Sequence, residues 1–241
     1  MLHRKNFLLN QIEPELLIRI IPRFSVAELH RSDVLAETHQ RIERVYFPHS
    51  GIISCVVELV GGDAIQTGMI GNDGEFGAGQ ALDDRVSLNR VIVQVAGVAS
   101  VISSDRIVKV ADEFPAFRRL LIKYEEFFLS QVQQTAACNA VHNVQARICK
   151  WLLRMHELVD ADLPLTQEFM AQMMGVRRTS VTQVAGELQK AGMISYSRGR
   201  VRIVDLEQIR QCACECDESV RSHYRRIFSS NGNGKPERPL R

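Results

Sequence analysis

Leu165-Thr166-Gln167-Glu168-Phe169-Met170-Ala171-Gln172-Met173-Met174-Gly175-Val176-Arg177-Arg178-Thr179-Ser180-Val181 carries the signals of two helices joined at a glycine. Thr166 suits a helix N-cap, and Glu168 in the first turn is favoured by the helix dipole. Phe169, Met170, Met173 and Met174 give that helix an inward face, and Gly175 suits a sharp turn. A second helix is predicted over Arg177–Ala191, with Val181, Val184, Ala185 and Leu188 as its buried stripe. At about 100° per residue the opposite side carries Thr179, Gln183, Gly186 and Lys190, flanked by Arg178 and Thr182. Downstream, Ile194-Ser195-Tyr196-Ser197 and Arg200-Val201-Arg202-Ile203-Val204 alternate and meet at Arg198-Gly199, a β-hairpin signal. Helix, glycine turn, polar-faced helix and hairpin in this order form a winged helix-turn-helix.

Charge supports a nucleic-acid contact there. The chain holds 30 Lys+Arg and 28 Asp+Glu, a net +2 that hides an uneven distribution. Between Ala171 and Val204, Arg177, Arg178, Lys190, Arg198, Arg200 and Arg202 face a single acid, Glu187, a local +5. Asp205 to Glu218 carries −4. A basic patch inside a near-neutral protein fits DNA better than a general polyanion coat.

Working outward, 241 residues with 45% hydrophobic and 24% charged residues make a globular chain and exclude a largely disordered one. The apolar runs are short, so no membrane span is expected, and the N-terminus lacks a signal core; a cytoplasmic protein follows. Residues from Phe7 to Phe24 have helical spacing, stopped at Pro22. From Val26 to Ile102 short apolar runs (45–47, 52–57, 65–70, 91–95) are separated by turn signals at Pro48-His49-Ser50-Gly51, Gly61-Gly62-Asp63, Gly71-Asn72-Asp73-Gly74 and Ala96-Gly97, the pattern of an antiparallel β barrel or roll. After Pro115 a long helix carries Leu121, Tyr124, Phe128, Gln131 and Thr135 at heptad-like steps. This stripe predicts a homodimer interface at Leu121, Tyr124 and Phe128; packing on the chain's own β domain is the alternative. A further helix is expected over Val141–Val159. The expected class is α+β, with a β-roll domain at 1–110, a dimerisation helix at 111–138, a winged helix-turn-helix at 139–228 and a disordered tail at 229–241.

The quoted helix-turn-helix resembles that of the Crp/Fnr family of bacterial transcription regulators. Val45-Tyr46-Phe47-Pro48-His49-Ser50-Gly51 and Gly71-Asn72-Asp73-Gly74-Glu75-Phe76-Gly77 are similar to that family's cyclic-nucleotide-binding-like β roll, and the long helix to its dimer helix. The resemblance covers about 10–228 in order. It implies a homodimer that reads a two-fold-related site on double-stranded DNA and regulates transcription with RNA polymerase. By position in the family motif, the base-reading residues fall on Arg178, Thr179 and Gln183. Arginine suits guanine O6/N7, glutamine suits adenine N6/N7, and threonine serves several bases. An acidic residue typical at the Thr179 position is missing, which implies a different site preference. Arg177 replaces a Ser-like cap and is expected on phosphate, with Thr166, Gln167, Arg198 and Arg200 as further backbone contacts; Thr166 is equally readable as a cap alone.

Members that bind cyclic AMP carry a ribose-binding Glu and, ten residues on, an Arg-Ser pair for the phosphate. Aligned on Gly74-Glu75-Phe76 and Val91-Ile92-Val93, this chain has Gly79, Asn89 and Arg90 at those places, an effector pocket without its charged ligands. Arg90 is readable as a one-place slip of the phosphate ligand or as a strand-end surface residue. The resemblance therefore implies no cyclic AMP response, leaving an unknown small-molecule effector near Tyr124, or none. No cysteine precedes Cys55, so an N-terminal iron–sulfur cluster is not supported, and His39, His49 and Met69 lack a haem-ligating pattern. Cys212-Ala213-Cys214-Glu215-Cys216 stands apart. If helical, Cys212 and Cys216 share a face, Cys214 turns away, and His223 could join; small buried residues are the plainer reading, and no cofactor or metal is assigned. No catalytic arrangement appears, so an enzyme is not expected. The competing function is a small-molecule sensor whose output is contact with another protein.

Overall fold

The computed structural model describes residues 2–83, 85–159 and 162–228; the tail expected at 229–241 lies outside them. The chain falls into two compact units, one of residues 1–57 and 68–126, the other of 58–67 and 127–241.

The first unit opens with helices α1 (Phe7–Asn10) and α2 (Pro14–Ile20). One helix was expected here. Asn6 caps α1 by accepting from Leu9 N–H, and Pro14 starts α2 afresh at a first-turn position that tolerates it. Strands β1 (Ser25–Leu29), β2 (Val34–Ala36), β3 (Arg44–Glu58), β4 (Ala64–Ile70) and β5 (Arg90–Ser103) form a five-stranded sheet in the order β1-β5-β3-β4, with β2 also on β5. The β5 pairings with β1, β2 and β3 are antiparallel. Helix α3 (Ala78–Leu82) precedes β5, and α4 (Ser104–Glu113) follows it.

Two expected turns are instead bulges inside long strands. β3 runs through Pro48-His49-Ser50-Gly51, and β5 runs through Ala96-Gly97. The register shifts from Ser50 opposite Val98 to Ile52 opposite Val95, so these punctuating residues face each other across the ladder. Gly51 has φ +83°, and a Cβ on Gly97 would lie 2.1 Å from the Ser50 carbonyl oxygen. The glycines thus serve a close backbone approach rather than a reversal. Asn6, fully buried, donates to the carbonyls of Pro48 and Gly74 and holds the N-terminal segment on this region.

Helix α5 (Pro115–Val141) spans the boundary between the units. Its Phe117 and Leu121 join Val45, Phe47, Ile102, Ile107 and Val110 in the core of the first unit. Leu121 is 0% and Tyr124 2% exposed within the single chain. This corrects the assignment of Leu121 and Tyr124 to an intermolecular seam: at these two positions the heptad-like stripe is core packing on the chain's own β domain, the alternative reading. Phe128 is half-buried, while Ile122 and Leu129 are exposed.

In the second unit, helix α6 (Val144–Leu158) is capped by Asn143, which accepts from Ala146 N–H. Then come α7 (Gln167–Met174), α8 (Arg178–Lys190), β6 (Ile194–Ser197), β7 (Arg200–Ile203), α9 (Leu206–Cys212) and α10 (Cys216–Phe228). Phe127, Tyr224 and Phe228 form an aromatic cluster, the first two edge-to-face at 4.8 Å between centroids. Arg221 pairs with Glu157 and Asp217 and ties α10 to α6.

The bulge pair makes the first prediction. Gly97→Ala should abolish cooperative folding of the β domain, because the new methyl group meets backbone that cannot rotate away. Gly61→Ala, in open space, should not. Thermal melts followed by circular dichroism compare the two; equal melting temperatures would contradict the bulge account.

Candidate nucleic-acid interface and effector region

Thr166 Oγ1 accepts from Phe169 N–H at 3.1 Å, so the capping role is present. Gly175, at φ +61°, closes α7 in the left-handed region, its N–H reaching the carbonyls of Ala171 and Gln172. Val181, Val184, Ala185 and Leu188 of α8 are buried as expected, and so are Met170, Met173 and Met174 of α7, whereas Phe169 is half-buried and Ala171 is buried beside them. Arg177 is the N-cap of α8 but makes no side-chain cap bond, leaving its guanidinium for other contacts.

Arg178, Thr179, Thr182 and Gln183 are all exposed on one side of α8. Arg178 lies 3.3 Å from Glu168, and Gln183 donates to Glu187 at 2.9 Å. Thr182 donates to Gln167 at 2.7 Å, which orients the Gln167 amide. Pairs this exposed contribute at most about 1 kcal/mol and are readily exchanged for a ligand. β6 and β7 pair from Ile194–Ile203 to Ser197–Arg200, leaving Arg198 and Gly199 as a two-residue loop with φ +49° and +71°. Positive φ at both positions is the hairpin turn whose twist matches its strands. Leu163 adds a third short edge by exchanging both backbone hydrogen bonds with Val201. Arg202 is held by Asp162 through two hydrogen bonds of 2.6 and 2.9 Å, and this contact draws the Asp162 carboxyl below its usual range. Arg177, Arg198 and Arg200 have no ion pair among the described residues. All the expected DNA contacts thus lie in one unit, on α7, α8 and the hairpin.

The effector residues are not gathered in the same way. Tyr124 fills the space over Gly74, where a Cβ would lie 2.0 Å from its hydroxyl oxygen. Its ring occupies that space rather than lining an open pocket, a correction to its placement there. Gly79 donates its N–H to Glu125 at 3.2 Å. Arg90 pairs with Glu37 at 3.3 Å, and the Asn89 carbonyl accepts from Ser87. Sequence reasoning passed over Glu75. It is 1% exposed, accepts from Ala78 N–H at 2.9 Å, and faces Glu125. Burial first, and then the Glu125 charge, raise its carboxyl well above the usual range. The signal was available: Gly74-Glu75-Phe76-Gly77 precedes α3, and Arg85 stands ten residues after Glu75. Arg85 is exposed, pairs with Asp83 at 3.0 Å and donates to the Gly79 carbonyl at 3.4 Å.

The cysteine run is not one helix. Helix α9 ends at Cys212, and Ala213 is extended at φ −73° and ψ 154°. Cys214 in the joint and Cys216 at the start of α10 both face Cys138 of α5 and His142 just past its end, and the four ligand atoms lie within 4.8 Å of one another. Cys212 points elsewhere, its Sγ 3.9 Å from the Met193 sulfur. The helix break removes the conditional pairing of Cys212 with Cys216 on one helical face, and His223 is not in the group. Burial pushes the Cys214 thiol up to about 12.

Residues 146–212 match the model of the Crp-like helix-turn-helix domain. Among solved structures, the chain is similar to the c-di-GMP responsive global regulator CLP of Xanthomonas campestris (15% identity, TM-score 0.65, covering 79% of this chain and 99% of that one). It is also similar to FixK2 of Bradyrhizobium japonicum (12% identity, TM-score 0.67, 79% and 98%). A CRP-family transcriptional regulator of Thermus thermophilus gives 18% identity and a TM-score of 0.65 over 78% and 96%. No curated protein matches significantly in sequence. The chain has the fold of the Crp/Fnr-type transcription regulators, with their β domain, and carries a Crp-like helix-turn-helix domain. Among the described residues no helix is long and apolar enough to cross a membrane.

Glu75 yields a prediction with a defined sign. Its folded-state affinity for a proton is raised, so its contribution to stability is full below the unfolded carboxyl range and is lost as pH rises through the raised folded-state value. Glu75→Gln keeps an oxygen for Ala78 N–H and removes the charge. The variant should match the parent in acid and be more stable above neutrality in denaturant titrations across pH. An unchanged pH profile would show that Glu75 does not titrate as described.

Proposed function

We propose that the protein is a cytoplasmic, homodimeric transcription regulator that reads a two-fold-related site on double-stranded DNA through α8. The observation that carries this reading is the convergence of Arg177, Arg178, Thr179, Gln183, Arg198 and Arg200 on the Crp-like helix-turn-helix domain and its wing. Arg178, Thr179 and Gln183 contact bases. Thr166, Gln167, Arg177, Arg198 and Arg200 contact the DNA backbone, with contact to RNA polymerase following from the regulator's role. An arginine at φ +49° supports this assignment, because a left-handed backbone disfavours any residue with a Cβ by roughly 1 kcal/mol. A hairpin selected for stability alone would carry Asn or Gly there.

The domain limits we propose are 1–110 for the sensor, 111–138 for the dimer helix and 139–228 for the DNA reader. The dimer seam lies on the exposed side of α5, with Ile122 and Leu129 seven residues apart and Val132 and Ala136 beside them. We propose an effector other than a cyclic nucleotide: of the pair with the ten-residue spacing, Glu75 is buried against Glu125 and Arg85 pairs with Asp83.

A mobility shift at fixed salt, with genomic fragments against random duplex, tests the function. Arg178→Ala should relax preference at one base pair, costing about 1–3 kcal/mol there. Arg200→Ala should weaken all duplexes alike and reduce the salt slope by about one. Uniform loss in both variants would reverse the division between reading and positioning. No binding by the parent to any duplex would favour the protein-contact sensor.

Leu129→Glu should give a folded monomer with sharply lower DNA affinity, since one half-site supplies only part of the contacts. Leu121→Glu should instead unfold the β domain. Sedimentation and circular dichroism separate these outcomes; a Leu129→Glu dimer would reject the seam.

A further inference from the structure

Cys138 lies in the last turn of α5, and His142, the residue after its end, donates its backbone N–H to the Cys138 carbonyl at 3.0 Å. Cys214 meets them from the joint between α9 and α10, and Cys216 from the first turn of α10. The Cys138 and Cys214 sulfurs are 3.5 Å apart, and Cys216 Sγ is 3.6 Å from His142 Nδ1. A disulfide requires about 2.05 Å. Metal–sulfur bonds of about 2.3 Å at tetrahedral angles put neighbouring sulfurs about 3.8 Å apart, and a nitrogen ligand slightly closer. These two distances are close to the edges of a coordination tetrahedron, and all six ligand–ligand distances lie within 4.8 Å.

We propose that Cys138, His142, Cys214 and Cys216 form a four-ligand site for a thiophilic divalent cation, with zinc the ion best suited to three sulfurs and one imidazole. The surroundings have the form such a site needs. His142 Nε2 lies 3.2 Å from the Glu215 carboxylate, which holds the proton on Nε2 and leaves the Nδ1 lone pair facing the cysteines. Gln134 donates its amide N–H to Cys216 Sγ at 3.1 Å. Arg147 and Lys150 are close enough to act electrostatically on Cys138 and offset thiolate charge. The three cysteines are buried, and the packing around them includes Ala146.

Binding deprotonates the three thiols and releases their protons to solvent, the metal–sulfur bonds replacing the S–H bonds. With four protein ligands no position is open to substrate, so the ion is structural: it fastens the end of α5 to the joint between α9 and α10. Cys149 and Cys212 lie outside the group.

The test uses the full chain. Purified from zinc-supplemented medium and dialysed, it should retain about one zinc per chain by plasma mass spectrometry. After exchange, one equivalent of Co²⁺ should give the thiolate-to-metal charge-transfer and tetrahedral d–d bands. Cys214→Ser should lose those bands, while the Cys149→Ala/Cys212→Ala double variant should keep them. Glu215→Gln should retain the spectrum and weaken binding about 10- to 100-fold. Parent protein that, kept reduced, takes up neither zinc nor cobalt in stoichiometric amount overturns the proposal. So does a Cys149→Ala/Cys212→Ala variant that loses the metal. A measurement on the parent settles the point even if Cys214→Ser does not fold.

Discussion

Helix α5 gives buried residues to each of the two units. Phe117, Leu121 and Tyr124 are committed to the β domain, and Phe127 and Cys138 to the C-terminal unit. A helix with inward residues along 27 positions cannot also spend them on a second copy of itself. An intermolecular contact must therefore use residues rotated off that stripe, such as Ile122 and Leu129. The helix also fixes what can sit beside Gly74, since the Tyr124 ring occupies the place of any larger side chain there.

The same constraint explains where the sequence was readable. The helix-turn-helix and hairpin were legible to within a residue, because each boundary carries its own local chemistry: the Thr166 cap, left-handed Gly175, and the two-residue Arg198-Gly199 loop. Local hydrogen bonds decide those features, so local sequence reports them. The heptad-like stripe at Leu121 and Tyr124 was legible as buried but not as to its partner. Periodicity says that a face is covered, not whether the cover belongs to the same chain.

The failures follow from the same distinction. Pro48 to Gly51 and Ala96-Gly97 are turn chemistry by composition, yet they are paired bulges facing each other across the ladder, and only the long-range register between β3 and β5 reveals it. Glu75 was passed over because the alignment used Gly74-Glu75-Phe76 as its anchor and put Gly79 at the ribose-binding place; its environment depends on Glu125, fifty residues away. The cysteine run put Cys212 and Cys216 on one face only on the condition that it was helical, whereas Ala213 is extended and the two fall in separate helices.

That single extended residue has a wider effect than its size suggests. With α9 stopped at Cys212 and Ala213 extended, Cys214 lies in the joint and Cys216 opens α10, and both face Cys138 and His142. An uninterrupted helix would gain backbone hydrogen bonds worth about 1 kcal/mol each. The break forgoes them and places two buried thiols beside a third and an imidazole. Apolar residues of similar size would fill that space without polar atoms to satisfy. Hydrophobic burial alone therefore does not account for choosing sulfur and imidazole at these four places, in this geometry, with Glu215 behind the ring and Gln134 on a sulfur. Coordination accounts for all of them together.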